Sequence, residues 1–289
     1  MEKRLNAKAM FIISMMVFGT LGVFTRNISV SSGELALYRA ILASLLIIVY
    51  LTSTKQTIPL KGIKKEIPLL LISGIAMGFN WILLFQAYKY TTISAATLSY
   101  YFAPVIVTLV CPFLFHEKLN KKQIICFIMS TLGLILIIGV GKAGFGSNDL
   151  LGIIFGLGAA VFYAAVIILN KFIKNVGGIH RTLLQFFAAI IVLVPYVALT
   201  GGMHLNELNF TGWACLLTVG LIHTGITYCL YFSALKDLKG QQAAILSYID
   251  PLTAVIISAV ILGEHVSLQQ LIGGALILGF TLWNEKSSN

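Results

Sequence analysis

Asp250 and Pro251 stand inside the otherwise apolar run SYIDPLTAVIISAVILGEHV, residues 247–266. A carboxyl group in apolar surroundings favours its uncharged form, so Asp250 could hold a proton and release it when water arrives. Pro251 removes a backbone donor and frees carbonyls of the preceding turn for a ligand or for water. The structural alternative is a protonated Asp250 that hydrogen-bonds a neighbouring helix. His223 is the second proton-handling candidate, because imidazole titrates near physiological pH. Thr227 and Tyr231 follow it at helical spacing. Its structural alternative is a neutral ring satisfying a polar group on the next helix. Arg39 keeps its charge and needs a partner or an aqueous cavity. It could hold a substrate carboxylate, pair with a helix C-terminus or reach an interface.

Asn80, Trp81, Tyr101, Tyr228 and Tyr248, together with Tyr100, add aromatic surface with polar tips. Such groups stack on ligands, hold cations and orient both, or else they pack and anchor. Their central places in apolar runs favour a cavity lining. Arg39, Asn80, Trp81, Tyr101, His223, Tyr228, Tyr248 and Asp250 are therefore the expected substrate-binding set. Glu117 and Glu264 each end an apolar run, where capping of the following turn is the expected role. No His-x-x-x-His or His/Cys cluster occurs and no GxxxxGK[ST] loop is present, so neither a metal centre nor a cofactor is expected.

The elements that must position these groups follow from composition. The chain has 289 residues, 58% hydrophobic and 10% charged, with a mean hydropathy of +0.94. Soluble domains average about 45–50% apolar and about 25% charged residues. Too little charge is present to cover a wet surface, and the expected partner is the lipid bilayer. The formal charge of +10 lies in short gaps between apolar runs, which points to membrane topology and away from nucleic acid. Cys111, Cys126, Cys215 and Cys229 lie in or beside apolar runs without motif spacing and read as buried free thiols. The basic start and apolar run of MEKRLNAKAMFIISMMVFGTLGVF lack a following cleavage site and read as a retained first span.

About 20 apolar residues cross the hydrocarbon core as a helix. Such runs fall near 8–25, 33–52, 67–87, 93–115, 122–140, 150–170, 180–199, 210–232, 241–262 and 267–284. The expectation is an all-α integral membrane protein of ten transmembrane helices, with polar interruptions in the fourth and ninth. With the N-terminus inside, sixteen lysines and arginines face the cytoplasm against Arg26, Lys89 and Lys142 outside, Arg39 remaining within a span. Both termini are then cytoplasmic. Arg181 is counted among the cytoplasmic loop charges. Gly74-x-x-x-Gly78 and Gly152-x-x-x-Gly156 have spacing suited to close helix approach.

LFQAYKYTTISAATLSYYFAPVIVTLVCPFLFHEKL aligns without a gap on YFSALKDLKGQQAAILSYIDPLTAVIISAVILGEHV. Tyr101 falls on Tyr248, Pro104 on Pro251, Glu117 on Glu264 and Trp81 on Tyr228. Asp250 falls on Ala103, so its acid is unmatched. Five spans per half make the second copy inverted, a plan recurrent in secondary transporters, whose sites lie at the repeat interface. The halves are 1–145 and 146–289.

These repeats, the proline-bearing fourth and ninth runs with their endings FHEKL and LGEHV, and the stretches ALYRAILASLL and NWILLFQAYKYTTISAATLSYYFAPV resemble the EamA-type branch of the drug/metabolite transporter superfamily. The resemblance spans essentially the whole chain. It implies a multi-pass protein of the plasma (inner) membrane and a small-molecule cargo. Export or exchange of an amino acid by alternating access is the leading expectation, with protons as the candidate coupling ion carried by Asp250 or His223. The alternative is a proton-coupled importer of a small organic cation or other metabolite. A membrane-embedded enzyme would need a polar catalytic cluster at one face, and a passive channel fits proline-broken helices poorly. A monomer is compatible with all of this.

Overall fold

The structure is a computed structural model and describes residues 6–25, 27–56, 63–91, 96, 99–116, 120–138, 149–202, 204–262 and 267–286. Glu117 and Glu264 lie outside the described residues. Among those described, every regular element is helical. Helix α1 (Ala7–Gly19) starts at Asn6, whose side chain accepts the Lys8 N–H, and continues as the short α2 (Leu21–Thr25). Helix α3 (Ser32–Ser53) opens with a capping box in which Ser31 and Glu34 each satisfy the other's backbone N–H. Helix α4 (Ile67–Tyr90) carries proline in its first turn, where no donor is lost. There follow α5 (Ala103–Phe115), α6 (Lys121–Ile138), α7 (Asp149–Phe172) and α8 (Gly178–Thr200). The next rod is α9 (Phe210–Thr218), a π-helical segment (Val219–Ile226) and α10 (Thr227–Leu235). Helices α11 (Gly240–Leu246), α12 (Ile249–Leu262) and α13 (Leu268–Lys286) complete the chain order.

Among the described residues six segments are long and apolar enough to cross a membrane: Ala7–Thr25, Ser32–Ser53, Ile67–Ala87, Leu150–Phe172, Gly178–Thr200 and Phe210–Leu235. Ala103–Phe115 and Leu271–Trp283 are shorter apolar helices. Exposed Leu199, Phe113, Phe210 and Val260 give the outer surface the apolar character that lipid requires. This is a multi-pass membrane protein. The ninth run is broken in the way its proline suggests, by a turn at Ser247–Tyr248 between α11 and α12.

Helix α4 packs on α7 and α8, while α3 packs on α8 and on the π-helical segment. Helix α1 lies against α10 and α12, α5 against α7 and α11, and α6 against α13. Glycines let these backbones meet. A Cβ on Gly74 would stand 2.3 Å from the Gln185 carbonyl oxygen, and one on Gly78 would stand 3.3 Å from that of Ala189. Gly152 and Gly156 are pressed by Thr91 and Ser99 in the same way. In a bilayer, where apolar burial drives little association, such close packing holds helices together.

The π-helical segment explains a spacing that the sequence reading passed over. Gly74 and Gly78 are four apart and receive α8, whereas Gly220 and Gly225 are five apart and receive Leu42 and Leu46 of α3. Bonding from i to i+5 brings residues five apart onto the face that residues four apart share in an α-helix. One extra residue is thus accommodated while the glycine notch survives. Thr224 and Thr227 donate their hydroxyls to the carbonyls five residues back, Val219 at 2.7 Å and Ile222 at 2.9 Å.

Arg181, counted among the inner-side charges, has a structural role. It is fully buried in the first turn of α8 and donates to the carbonyls of Asn170, Ile173 and Val176 where α7 ends. Those carbonyls have no helical N–H ahead of them, and a five-donor guanidinium can satisfy several at once. Glu66 accepts the Lys174 and Asn175 backbone N–H groups beside it. Asn170 and Gln185 also share Ser73 Oγ, each at 3.0 Å.

Candidate functional site

Four residues from four helices meet where the two halves face each other. The Arg39 guanidinium lies 4.4 Å from the centre of the Trp81 ring, and its Nη2 donates to the Tyr228 hydroxyl at 3.5 Å. Trp81 and Tyr228 meet edge to face at 6.2 Å, and Phe186 touches both rings at 6.3 and 5.5 Å. Phe186 and Tyr228 each lie 147 positions after Arg39 and Trp81. Exchanging the halves therefore maps the quartet onto itself, with the arginine of one half replaced by a phenylalanine in the other. Arg39 is only 6% exposed, and its buried Nε has no hydrogen-bond partner. A guanidinium in this setting draws its stabilisation from ring faces more than from acceptors.

Asp250 occupies the first turn of α12, directly before Pro251. The helix start supplies unpaired N–H groups that favour a carboxylate, and proline costs nothing there. Tyr101, Tyr163 and Tyr228 lie within electrostatic reach of the Asp250 carboxylate. Tyr100 stacks on Tyr163 at 5.3 Å and meets Tyr101 at 5.5 Å. Gly19 brings α1 against the Asp250 carbonyl oxygen, where a Cβ would stand at 2.6 Å. Asp250, Tyr100, Tyr163 and Tyr228 are half-buried although helices surround them, whereas Tyr101, Tyr231 and Trp81 are buried.

The remaining sequence-derived candidates are placed elsewhere. His223 lies in the π-helical segment, 4% exposed, with Nε2 at 2.8 Å from Thr20 Oγ1 and Nδ1 at 3.3 Å from the Thr218 carbonyl oxygen. Both ring nitrogens thus have a polar partner, and the Thr20 hydroxyl also donates to the Val17 carbonyl at 2.8 Å. His223, Thr227 and Tyr231 are all buried. Asn80 donates to the Ala159 carbonyl at 2.7 Å and ties α4 to α7. Tyr248 is fully buried, with its hydroxyl 2.8 Å from Thr131 Oγ1, and ties the α11–α12 turn to α6. Arg39, Trp81, Tyr101, Tyr228 and Asp250 are thus brought together, and His223, Asn80 and Tyr248 are spent on helix contacts.

Phe186, Tyr163 and Phe18 belong to the cluster and escaped the sequence reading, and Tyr231, expected beside His223, joins them. Phe18 meets Tyr228 at 5.0 Å, and Tyr231 meets it at 6.0 Å. Phe186 had a findable signal, since it is the repeat partner of Arg39. Among the described residues no group of three His, Cys, Asp or Glu side chains could hold a metal ion.

The sequence model of the EamA-like transporter family matches this chain twice, over residues 6–139 and 150–284. An uncharacterised transporter of Bacillus subtilis (strain 168), YxxF, is 31% identical over 281 residues, covering 96% of this chain and 88% of that one. An uncharacterised transporter of Archaeoglobus fulgidus is 27% identical over 283 residues, covering 96% of each. A crystal structure of another protein superposes with a TM-score of 0.83 at 18% identity, covering 95% of this chain and 96% of that one, which shows a shared fold.

Proposed function

We propose, from the premise that the chain belongs to the EamA-like transporter family, that it is a secondary transporter of the plasma (inner) membrane. Its cargo is a small polar metabolite, with an amino acid as the leading case and export or exchange as the direction. The observation that carries this reading is the Arg39 quartet drawn from both halves of the chain, with Asp250 within electrostatic reach of Tyr228 and half-buried tyrosines inside the bundle. Two groups of opposite charge on either side of Tyr228 suit a small polar solute, and nothing comparable is needed by a lipid-filled scaffold.

Ten spans in two inverted halves, 1–145 and 146–289, are part of the proposal. Two separate family matches support it. So do the packing pairs: α4 on α7 corresponds to α10 on α1, α4 on α8 to the π-helical segment on α3, and α5 on α7 to α12 on α1. Pairs α3–α8 and α6–α13 each map onto themselves. A two-fold relation of this kind lets one half rock against the other about a central site, which is the basis of alternating access. The lysine and arginine distribution supports cytoplasmic termini.

Asp250 is the proposed proton-coupling group, being the half-buried acid among ligand-facing side chains. His223 is the secondary candidate. The test is uptake and counterflow in proteoliposomes with amino acids, small organic cations and sugar phosphates, with and without a pH gradient. Movement of one class with saturation supports the reading, and failure of every solute to move overturns it. Asp250→Asn is expected to abolish the response to the pH gradient; an unchanged response removes Asp250 from coupling.

A further inference from the structure

Each end of α8 is tied to the first half of the chain by a buried carboxylate. Before α8 begins, Glu66 accepts the backbone N–H groups of Lys174 and Asn175, both at 3.1 Å, and the Asn175 side-chain amide at 2.9 Å. After α8 ends, Gly201 and Gly202 take φ of +136° and +87°, a region open to glycine, and the chain turns toward the start of α3. There Glu34 accepts the His204 backbone N–H, and each of its carboxylate oxygens lies 3.3 Å from His204 Nδ1. Leu208 of the same loop shares a buried cluster with Ile28, Leu35 and Tyr38. Asn209 then caps α9, where the rod that carries Tyr228 begins.

The donors distinguish the two ties. Those that reach Glu66 are amides, whose charge does not change with pH. One partner of Glu34 is an imidazole, the side chain that changes charge in the physiological range. The His204 side chain is 44% exposed against 1% for Glu34, so the titrating member meets the medium and the acid does not. On the elements packed around the pair, the titratable groups toward this end are Tyr38, Tyr196, Cys215, His223 and the exposed Glu207. The Tyr38 hydroxyl meets Glu34 at 3.5 Å, that of Tyr196 is taken by Gln86, and His223 is taken by Thr20. Among the described residues no lysine or arginine pairs with Glu34 or His204.

We infer that the Glu34–His204 contact is a proton-controlled latch between the two halves, held more firmly when His204 is protonated, at the end of α8 opposite the Glu66 tie. Imidazolium gains a charge-assisted bond to a carboxylate that neutral imidazole lacks. The added hold is therefore full at acid pH and fades as pH rises through the range in which imidazole loses its proton. The bond from the His204 backbone N–H persists throughout, so the loop is loosened and not released. In the proposed topology this end faces away from the cytoplasm. The consequence for turnover rests on the transporter reading above, because halves that rock must break a tie that joins them at one end.

Amide exchange of the purified full-length protein in detergent tests the latch without any cargo. After correction for intrinsic exchange rates, protection at residues 204–208 is expected to be about fivefold greater at about pH 5.5 than at about pH 7.5, the exposure of His204 keeping the effect modest. The Lys174 and Asn175 amides held by Glu66 are expected to change by less than about twofold. His204→Gln keeps a side-chain donor without a titrating charge and is expected to remove the pH dependence at 204–208. Wild-type protection that does not change with pH overturns the inference, and so does an equal change in His204→Gln. In the liposome assay, acid on the side that the loop faces is expected to slow solute movement about threefold more in the wild type than in His204→Gln; equal slowing overturns the latch as a control on turnover. Failure of every solute to move would overturn the transporter reading instead, and the exchange result would still decide the latch.

Discussion

Replacing Arg181 with leucine tests how the end of α7 is held beside α8. The guanidinium donates to the carbonyls of Asn170 at 3.1 Å and Val176 at 3.3 Å, to that of Ile173, and to Asn170 Oδ1 at 3.4 Å. Hydrogen bonds involving a charged group contribute about 1.5–3 kcal/mol each. These share one side chain and one helix end, so they do not add. Leucine supplies volume but leaves the carbonyls buried without donors, for an expected loss of about 3–5 kcal/mol. Arg181→Lys keeps the charge with a narrower reach and is expected to fall between leucine and wild type. Lys174→Ala, at an exposed neighbouring side chain, is expected to change stability by no more than ~0.5 kcal/mol. Unfolding of the purified variants in detergent, followed by tryptophan fluorescence, gives the order directly. An Arg181→Leu protein that unfolds together with wild type would refute the capping account, and a lysine variant no better than leucine would assign the effect to packing.

Three further outcomes follow from the packing. Gly74→Val must displace the Gln185 backbone and is expected to cost ~2 kcal/mol or more, whereas Gly78→Ala meets nothing closer than 3.3 Å and should cost under ~1 kcal/mol; equal shifts in melting temperature would contradict the close α4–α8 crossing. Glu34→Gln weakens the tie to the His204 backbone N–H and Nδ1 and should speed amide exchange at residues 204–208 by roughly tenfold, the equivalent of ~1.4 kcal/mol; unchanged exchange would show that the loop is held by something else. Tyr248→Phe removes the bond to Thr131 and should lower stability by ~1 kcal/mol with the cargo KM unchanged; a raised KM would put Tyr248 on the cargo path.

Some of the site was legible in residue type alone. Asp250 and Arg39 are expensive within apolar runs, so a reader can find them without knowing the fold. Trp81, Tyr101 and Tyr228 came through the repeat register. The capping role of Arg181 was not legible, because a basic residue near the end of a run looks like a plain inner-side charge until the unpaired carbonyls beside it are seen. Tyr163 was illegible for a different reason. Its role depends on α7 packing against α4 and α5, and no spacing within its own helix reports that contact. The π-helical segment was hidden by its own economy: one residue more between Gly220 and Gly225 changes hydrogen bonding while preserving the face that α3 reads.

Symmetry and chemistry are separated in this molecule. Residues that keep the exchange of halves are the ones that pack: Trp81 with Tyr228, Tyr101 with Tyr248, and the glycines against α3 and α8. Residues that break it carry charge or polarity: Arg39 against Phe186, Asp250 against Ala103, and His223 in a segment whose extra residue the first half lacks. Tyr101 and Tyr248 show how one register serves both ends. Tyr248 bonds Thr131 and holds helices, whereas its partner Tyr101 lies within electrostatic reach of the unmatched acid. A two-fold scaffold has equivalent energies for its two facings, and a cargo or a proton bound off the axis is what biases one against the other. In the proposed two-fold arrangement Asp250, unmatched at Ala103, is the residue through which occupancy would set the direction of the swing.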